Sequence, residues 1–191
     1  MPQILPREFY NRSPDLVARD LLGKRLIRRL DGEEIESVIV ETEAYYGKCD
    51  PASRAFRGKK RYNLMMWDQP GRLFIYNVHK YWMLNVIAHK EGDVGGVLIR
   101  AIEPRKGIGL LRVRRDMSID KKLTSGPGKL SIALGITRDL NGCPVTELGS
   151  PVEICDAPTV KEYCRSRRIG VTKDLEEELR FYIKGNRFVS K

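Results

Sequence analysis

Residues 40–47 contain the carboxylate and the ring whose types and spacing are best suited to chemistry. If this segment is a strand, Glu43 and Tyr45 share one face, because side chains two positions apart point the same way. A carboxylate under a planar substrate could hold a water molecule as a general base, provided that it stays ionised. Spacing alone favours the plainer alternative, a surface strand end with solvated acids.

A second segment, residues 74–82, is rich in rings. It holds five aromatic or imidazole side chains within nine positions, together with one lysine: Phe74, Tyr76, His79, Lys80, Tyr81 and Trp82. On a tight hairpin these side chains could form a wedge and a stacking wall for a nucleic-acid base. The alternative is a hydrophobic hairpin that packs into the core.

Two further segments present positive groups. Arg100 interrupts the apolar segment 97–103, where an arginine is costly to bury without a partner; Glu43 is a candidate partner, and the pair could clamp a water molecule. Gly126 and Lys129 lie at a predicted helix start, whose free N–H groups form a small anion site, although the phosphate-loop pattern G-x-x-x-x-G-K-[ST] is absent. An exposed edge-strand arginine and an ordinary capped helix are the alternatives.

The pattern between these segments predicts the elements that position them. Ser13-Pro14 begins a helix that Gly23 closes, and Asp31-Gly32 joins strands 24–30 and 35–43 in a hairpin. The other predicted elements are hairpin strands 73–78 and 81–88, a strand 97–103 ended by Pro104, a helix 127–134, strands 152–155 and 181–184, and a helix beginning near Pro158. We therefore expect one α+β domain over residues 1–191.

The alternation along residues 38–45 predicts which side of the second strand faces the core. One face carries small and apolar side chains and is assigned to the core: Val38, Val40, Thr42 and Ala44. The other face carries acids and a ring and is assigned to a cleft: Ile39, Glu41, Glu43 and Tyr45.

Composition and length exclude several classes of protein. The chain has 191 residues, of which 41% are hydrophobic and 31% charged, as in a globular domain with a real core. The absence of an apolar run of ~18 residues and of a signal-peptide pattern argues against membrane and secretory classes. The four cysteines form no C-x-x-C pair and the two histidines are widely spaced, so we expect reduced thiols and no metal site.

The net charge of +10 is unevenly distributed. Residues 31–53 hold seven acids and one base, whereas residues 54–72 hold six bases and one acid, and residues 100–130 hold nine bases and three acids. Basic segments on both sides of an acidic strand indicate a polyanion held around a site that needs a carboxylate. A solvated basic face without a partner is the alternative.

Six collinear blocks resemble the alkyladenine (3-methyladenine) DNA glycosylase family of the mammalian type, which lacks the helix-hairpin-helix fold. The blocks are VETEAY at 40–45, DPAS at 50–53, PG at 70–71, WMLN at 82–85, LIRAIEP at 98–104 and GPGKL at 126–130. Residues 16–30 and 180–183 fit as well, so the resemblance covers nearly the whole chain. It implies a mixed, mostly antiparallel curved sheet, flanking helices and a protruding hairpin that inserts into DNA.

The resemblance implies base flipping followed by hydrolysis of the N-glycosidic bond. Glu43 matches the general base, Arg100 matches the arginine that helps to hold the attacking water, and the carbonyl of Ile169 aligns with its third partner. Tyr45 and Tyr76 match the rings that sandwich the flipped base.

Other matched positions concern selection of the base and contact with DNA. Asn85 matches the asparagine that screens against the exocyclic amino group of guanine. The DNA-contacting set comprises the hairpin tip and the glycine-lysine segment: His79, Lys80, Tyr81, Gly126 and Lys129.

Two positions depart from the family pattern. Arg54 stands where the family usually has histidine, and a guanidinium there would repel a cationic purine. His79 stands where an intercalating tyrosine is usual, in a loop one residue shorter, and it is a smaller wedge. We therefore expect weaker flipping or a lesion preference shifted towards neutral bases such as hypoxanthine or ethenoadenine.

The expected protein is a monofunctional, monomeric DNA glycosylase without a cofactor or metal. Its partner would be double-stranded DNA with damaged purines, not a membrane, and it would be intracellular, either cytoplasmic at the nucleoid or nuclear. One alternative is a catalytically weak homologue that binds damaged DNA. Another is a metal-dependent nuclease using Glu41 and Glu43, which would need a third ligand that the motifs do not supply.

Overall fold

A computed structural model describes residues 3–191 of the chain. The helices are α1 (Arg7–Tyr10), α2 (Pro14–Asp20), α3 (Ile108–Arg115) and α4 (Pro127–Ala133), and short 3-10 turns cover Leu64–Trp67, Asp120–Lys122 and Arg138–Leu140. The strands are β1 (Arg25–Leu30), β2 (Glu33–Tyr45), β3 (Leu73–Val78), β4 (Tyr81–Ile87), β5 (Gly96–Lys106), β6 (Val152–Cys155), β7 (Tyr163–Ser166) and β8 (Arg180–Ile183).

The strands form one curled sheet in the order β3-β4-β5-β2-β1-β6, to which β8 adds beside β2 and β7 beside β8. Strand β2 is the longest at 13 residues, and it pairs with β5 on one edge and with β1 and then β8 on the other. The predicted α+β domain with a curved sheet is confirmed. The predicted mixture of parallel and antiparallel pairs is wrong for residues 3–191, where every named strand pair is antiparallel.

The main hydrophobic core lies between one face of this sheet and the helices α2 and α4. Leu21, Ile39, Ile99 and Leu130 are fully buried in it. A second, smaller cluster is built on Phe74 and supports the loop that follows β2, and a third joins Val40 and Ala101 to Phe188. The third cluster lies on the opposite side of β2 from the main core.

The predicted alternation along β2 is wrong for Val38, Ile39 and Val40, whose faces are exchanged, and the error matters for the site. Ile39 and Ala44 both lie in the main core, although residues five apart on a regular strand face opposite sides. Val40, assigned to the core face, instead joins the third cluster. The β2–β5 pairing is irregular on both sides of Glu41, so the alternation shifts by one residue there.

The shift leaves the two buried acids of β2 on one side. Glu41 and Glu43 lie with Arg100 on the face opposite the main core, as ion pairs link Arg100 to both of them. The sequence pattern did not locate the shift, because it lies in the pairing of β2 with β5.

The other differences concern segment ends and short elements. Strand β5 continues through Pro104 to Lys106, because Pro104 pairs with Ser37 next to a register shift, where a missing N–H is tolerated. No helix begins near Pro158; the chain instead reaches β7, which pairs with β8. The sequence analysis also missed the helices α1 and α3. Between residues 3 and 191, no helix combines the length and the apolar character needed to span a bilayer.

Truncating Ile99 tests the main core. Ile99→Ala should lower the free energy of unfolding by about 3 kcal/mol, because this fully buried side chain would leave a cavity that its neighbours only partly fill. Urea unfolding followed by circular dichroism measures the change. Val113→Ala, at a side chain 78% exposed, is the control and should stay within about 0.5 kcal/mol; an equal loss in both variants would contradict the assignment.

Candidate active site

Glu43 is fully buried near the end of β2 and is held by three groups. The hydroxyl of Tyr45 donates to its Oε2 at 2.7 Å, and the backbone N–H of Ile169 donates to its Oε1 at 2.8 Å. Nη1 of Arg100 lies 3.3 Å from the same Oε1. The structure therefore brings together Glu43, Arg100, Tyr45 and Ile169, which sequence reasoning had placed in one site.

The pKa of Glu43 is raised above its ordinary value. Burial is the main cause, because it penalises the charged carboxylate, and the neighbouring Glu41 acts in the same direction. Arg100, the Ile169 N–H and the Tyr45 hydroxyl oppose this rise because they favour the ionised form. The group is thus a buried acid whose proton affinity has been moved towards the range useful for proton transfer.

Arg100 distributes its donors over four acceptors. Its Nε lies 3.0 Å from Glu41 Oε1, while its Nη1 reaches both Glu43 and the carbonyl of Ile169, the latter at 3.5 Å. Its Nη2 donates to Ser190 Oγ at 3.4 Å. The predicted pairing of Arg100 with Glu43 is therefore present. Arg100 is buried on β5, which pairs with β2 on one side and β4 on the other, so it is not an exposed arginine of an edge strand.

The two tyrosines expected to hold a base each lie beside an arginine. The guanidinium carbon of Arg168 lies 4.5 Å from the ring centroid of Tyr45, and that of Arg54 lies 4.7 Å from the ring centroid of Tyr76. Burial raises the pKa of both tyrosine hydroxyls, so both stay protonated at neutral pH. Both rings line a cleft of about 1460 Å³, and Arg54 is exposed at its edge.

The cleft passes directly over the buried carboxylate. Tyr45, Arg100 and Ile169, the three residues in contact with Glu43, all line it, so Glu43 lies one contact below its floor. Asn85 does not line the cleft. It borders an inner cavity of about 10 Å³, roughly the space of one water molecule, and its amide donates to the carbonyls of Phe74 and Met83.

The hairpin and helix α4 form one wall of the cleft. His79 and Lys80 are exposed at the tip, where His79 adopts a left-handed backbone with φ of 54°. Tyr81 packs on α4 so closely that a Cβ added to Gly128 would lie 3.0 Å from its ring. Gly126 precedes α4, and Lys129 projects from its first turn into the cleft lining.

The rim of the cleft is basic. It collects lysines and arginines from the segments 54–72 and 100–130 and from two later stretches: Arg54, Arg57, Lys60, Arg115, Lys121, Lys122, Lys129, Lys173, Arg187 and Lys191. The lining contains no aspartate or glutamate. The uneven charge of the sequence is therefore concentrated around one opening, as expected for a polyanion partner.

Sequence reasoning missed the residues that support this site from behind. Arg168 is completely buried and makes two hydrogen bonds with Asp50, at 2.7 and 2.8 Å, as well as one with the carbonyl of Ala44. Although burial lowers the pKa of Arg168, its bonds to Asp50 and Asp174 raise it overall. Asp50 belongs to a recognised block, but nothing in the sequence pairs it with Arg168.

Glu41 was considered only as a metal ligand, and the structure gives it a different environment. It is fully buried and accepts hydrogen bonds from Arg100, Arg180 and Ser190. Both of its oxygens are thus already used by this protein's own donors. Among residues 3–191, no three His, Cys, Asp or Glu side chains come together in a way that could hold a metal ion.

A buried carboxylate beneath a ring-lined and basic cleft is typical of an enzyme that acts on a nucleic acid. The sequence profile of the family described as Methylpurine-DNA glycosylase (MPG) matches residues 8–187. Since this match covers most of the chain, the protein belongs to the methylpurine-DNA glycosylase family, which comprises hydrolytic DNA glycosylases. The resemblance inferred from the six sequence blocks is confirmed.

Several relatives agree with this assignment. A protein of Aeropyrum pernix, provisionally named 3-methyladenine DNA glycosylase, is 45% identical over 194 residues, which span 100% of this chain and 95% of that protein. Proteins of the same provisional name from Methanocella arvoryzae and Carboxydothermus hydrogenoformans are 42% and 39% identical, each over 98% of this chain. They span 96% and 99% of those proteins.

Removing the charge of Asp50 tests the support behind Tyr45. Asp50→Asn should lower the free energy of unfolding by roughly 3 kcal/mol, because it leaves the buried Arg168 with one carboxylate fewer. Asp139→Asn, at an exposed position, is the matched control and should change stability by less than about 0.5 kcal/mol. Urea unfolding of both variants measures the difference, and a neutral Asp50→Asn would show that the pair is dispensable.

Proposed function

We propose that this protein is a monofunctional DNA N-glycosylase that removes alkylated or deaminated purines from duplex DNA. The observation that carries the proposal is the buried Glu43, which shares Arg100 and Ile169 with the floor of a basic cleft. The substrates would belong to the class of 3-methyladenine, 7-methylguanine, hypoxanthine and ethenoadenine. Such a reaction begins base excision repair.

Three groups around Glu43 are suited to holding the attacking water. Nη1 of Arg100 is within 3.5 Å of both Glu43 Oε1 and the carbonyl oxygen of Ile169, so the three atoms lie close together at the base of the cleft. A water there would accept from Arg100 and donate to the carboxylate and to the carbonyl. Its oxygen would bond to C1′ of the sugar, its proton would pass to Glu43, and the electrons of the broken N-glycosidic bond would leave with the base.

The rings would hold the flipped base while this occurs. Tyr45 and Tyr76 line the cleft beside Arg100, and stacking of a base on aromatic faces is favourable. Flipping costs least for damaged bases, because they pair poorly. The exposed His79 and Lys80 would enter the space that the base leaves, supported by the packing of Tyr81 on α4.

The basic rim supplies the contacts to the phosphates. Ten lysines and arginines around one opening, among them Lys129 at the start of α4, would follow a DNA backbone on both sides of the flipped nucleotide. DNA as the partner requires an intracellular location, at the nucleoid or in a nucleus. We propose a monomer, since one chain contributes every group used here.

Arg54 sets the expected lesion preference. Its guanidinium lies over Tyr76, at the edge of the proposed base site, and carries a full positive charge with no neutral acceptor nitrogen. It would repel a cationic alkylated purine and leave a neutral lesion unaffected. Neutral lesions need protonation of the departing base, whereas cationic ones leave without an acid.

The carboxylate provides a first test. Glu43→Gln should reduce excision at least about 100-fold, because the proton acceptor is lost. A labelled duplex with hypoxanthine or ethenoadenine is incubated in EDTA and then cleaved with alkali at abasic sites. Glu33→Gln, exposed on the same strand, is the control and should retain full activity.

The same assay on the wild-type protein separates the alternative functions. Binding without any abasic product would favour the catalytically weak binder, and strand cutting that EDTA abolishes would favour a nuclease.

The raised pKa of Glu43 predicts that Glu43→Gln, which should lose activity, gains stability. An acid whose pKa is raised on folding costs stability once the pH exceeds its ordinary value, because the folded state then disfavours the ionised form that the unfolded chain adopts freely. Glu43→Gln should therefore be more stable than the wild type at neutral pH, with the difference vanishing below the ordinary pKa of glutamate. Thermal unfolding at both pH values measures this, and a less stable variant at neutral pH would contradict it.

The role of Arg54 is tested by lesion competition. Single-turnover excision should favour hypoxanthine or ethenoadenine over 7-methylguanine in the wild type. Arg54→His should raise the relative rate on 7-methylguanine roughly tenfold, because a permanent positive charge next to a cationic base is removed. Arg57→His, a neighbouring exposed arginine, should leave the ratio unchanged. A large wild-type preference for 7-methylguanine over both neutral lesions would overturn the idea.

A further inference from the structure

Glu41 is a fully buried carboxylate that the proposed reaction does not use. Its Oε1 lies 3.0 Å from Arg100 Nε, 2.7 Å from Arg180 Nε and 2.7 Å from Ser190 Oγ, and its Oε2 accepts from the Ser190 N–H at 2.6 Å. A carboxylate that only paired with one arginine would not need four donors. Glu41 is therefore placed to hold the side chains of Arg100, Arg180 and Ser190 in fixed positions.

What Glu41 holds is the orientation of Arg100. The guanidinium is planar, so fixing Nε against Glu41 decides where the other two nitrogens point. With Nε on Glu41, Nη2 reaches Ser190 Oγ and Nη1 is left for Glu43 and the carbonyl of Ile169. Ser190 contacts both Glu41 and Arg100, so it closes this arrangement from the segment that follows β8.

Glu41 also determines the balance of charge around Glu43. The side chains of Arg100 and Arg180 are 7% and 10% exposed, and those of Glu41 and Glu43 are fully buried, so two cations oppose two carboxylates out of solvent. Without the charge of Glu41, Arg100 would keep Glu43 as its carboxylate partner, and Arg180 would lose the carboxylate with which it pairs. The other charged or titratable groups near Glu43 are Tyr45 from its own strand, Tyr76 through Tyr45, and Arg168 behind the Tyr45 ring.

Arg168 does not alter this balance, because its charge is already met. It pairs with Asp50 and Asp174, and the tyrosines remain neutral. Removal of the Glu41 charge would therefore act on Glu43 through the loss of that neighbouring negative charge and through Arg100, which would pair with Glu43 alone.

We propose that Glu41, closed by Ser190, is a positioning residue that orients Arg100 towards the water site and prevents Glu43 from binding Arg100 as its own exclusive ion-pair partner. This inference rests on the proposed glycosylase function and deepens it. It assigns separate tasks to the two buried acids of β2: Glu43 accepts the proton, and Glu41 keeps Arg100 available to the water.

Glu41→Gln tests the proposal in two ways. The single-turnover rate on a hypoxanthine duplex at saturating enzyme should fall at least about tenfold, with the half-saturating enzyme concentration unchanged, because positioning is lost and DNA contacts are not. The acid limb of the pH–rate profile, which would report the ionisation of Glu43, should also move to lower pH. The reason is that removing the negative charge of Glu41 lowers the pKa of Glu43. Glu103→Gln, at a carboxylate of β5 that contacts Asn186 and Arg105, is the matched control and should change neither quantity.

Ser190→Ala separates geometry from charge and covers the case in which Glu41→Gln does not fold. It removes a hydrogen bond to Glu41 and one from Arg100 but leaves every charge in place. The rate should fall while the acid limb stays where it is. An unchanged rate in Ser190→Ala, or a fall in Glu41→Gln without movement of the acid limb, would overturn the proposal.

A readout without DNA keeps this proposal distinct from the glycosylase function. In protein labelled with 13C at the glutamate carboxyls, the Glu43 signal is identified by its loss in Glu43→Gln and titrated in the wild type and in Glu41→Gln. It should titrate at lower pH in Glu41→Gln. If this shift occurs but the wild type excises no base, the glycosylase function fails and the coupling stands. If the two titrations coincide, the proposal about Glu41 fails whatever the activity.

Discussion

The site depends on one buried group of charges, in which Arg100 lies between Glu41 and Glu43. Unpaired, any of these groups would be costly to bury, so the surrounding chain must supply partners. It does so from three parts of the sequence: Arg180 on β8, Ser190 after it, and the Ile169 backbone. The segments that follow β6 therefore complete the candidate active site that β2 and β5 begin.

A second buried group supports the ring that covers the first. Arg168 joins Asp50 to the back of Tyr45, and the next residue, Ile169, donates its N–H to Glu43. Arg168 thus supports the ring and the adjacent Ile169 donates to the carboxylate, so the two interactions depend on the same short segment. A pocket of this kind is suited to holding a planar ligand above Glu43, because the positions of its groups are fixed before the ligand arrives.

Much of the fold was readable from local signals. The helix starting at Pro14, the hairpin at Asp31-Gly32 and the ring-rich hairpin all form where turn chemistry and periodicity placed them. The failures have physical causes. A proline ends a strand only if its missing N–H is needed, and the register shift beside Pro104 removes that need. The segment after Pro158 forms no helix and leads to β7, because β8 offers a pairing edge that no local pattern encodes.

The sequence by itself determined the family, the basic character of the surface and the identity of Glu43, Arg100 and Tyr45 as a group, since these reside in residue types and their order. Only the tertiary structure distinguished Glu41 from Glu43. Glu41 and Glu43 are two positions apart and chemically identical, and the donors that distinguish them include the Ile169 N–H for Glu43 and Arg180 and Ser190 for Glu41. Those donors are distant along the chain, so their selection depends on how the sheet curls and where β2 shifts its alternation.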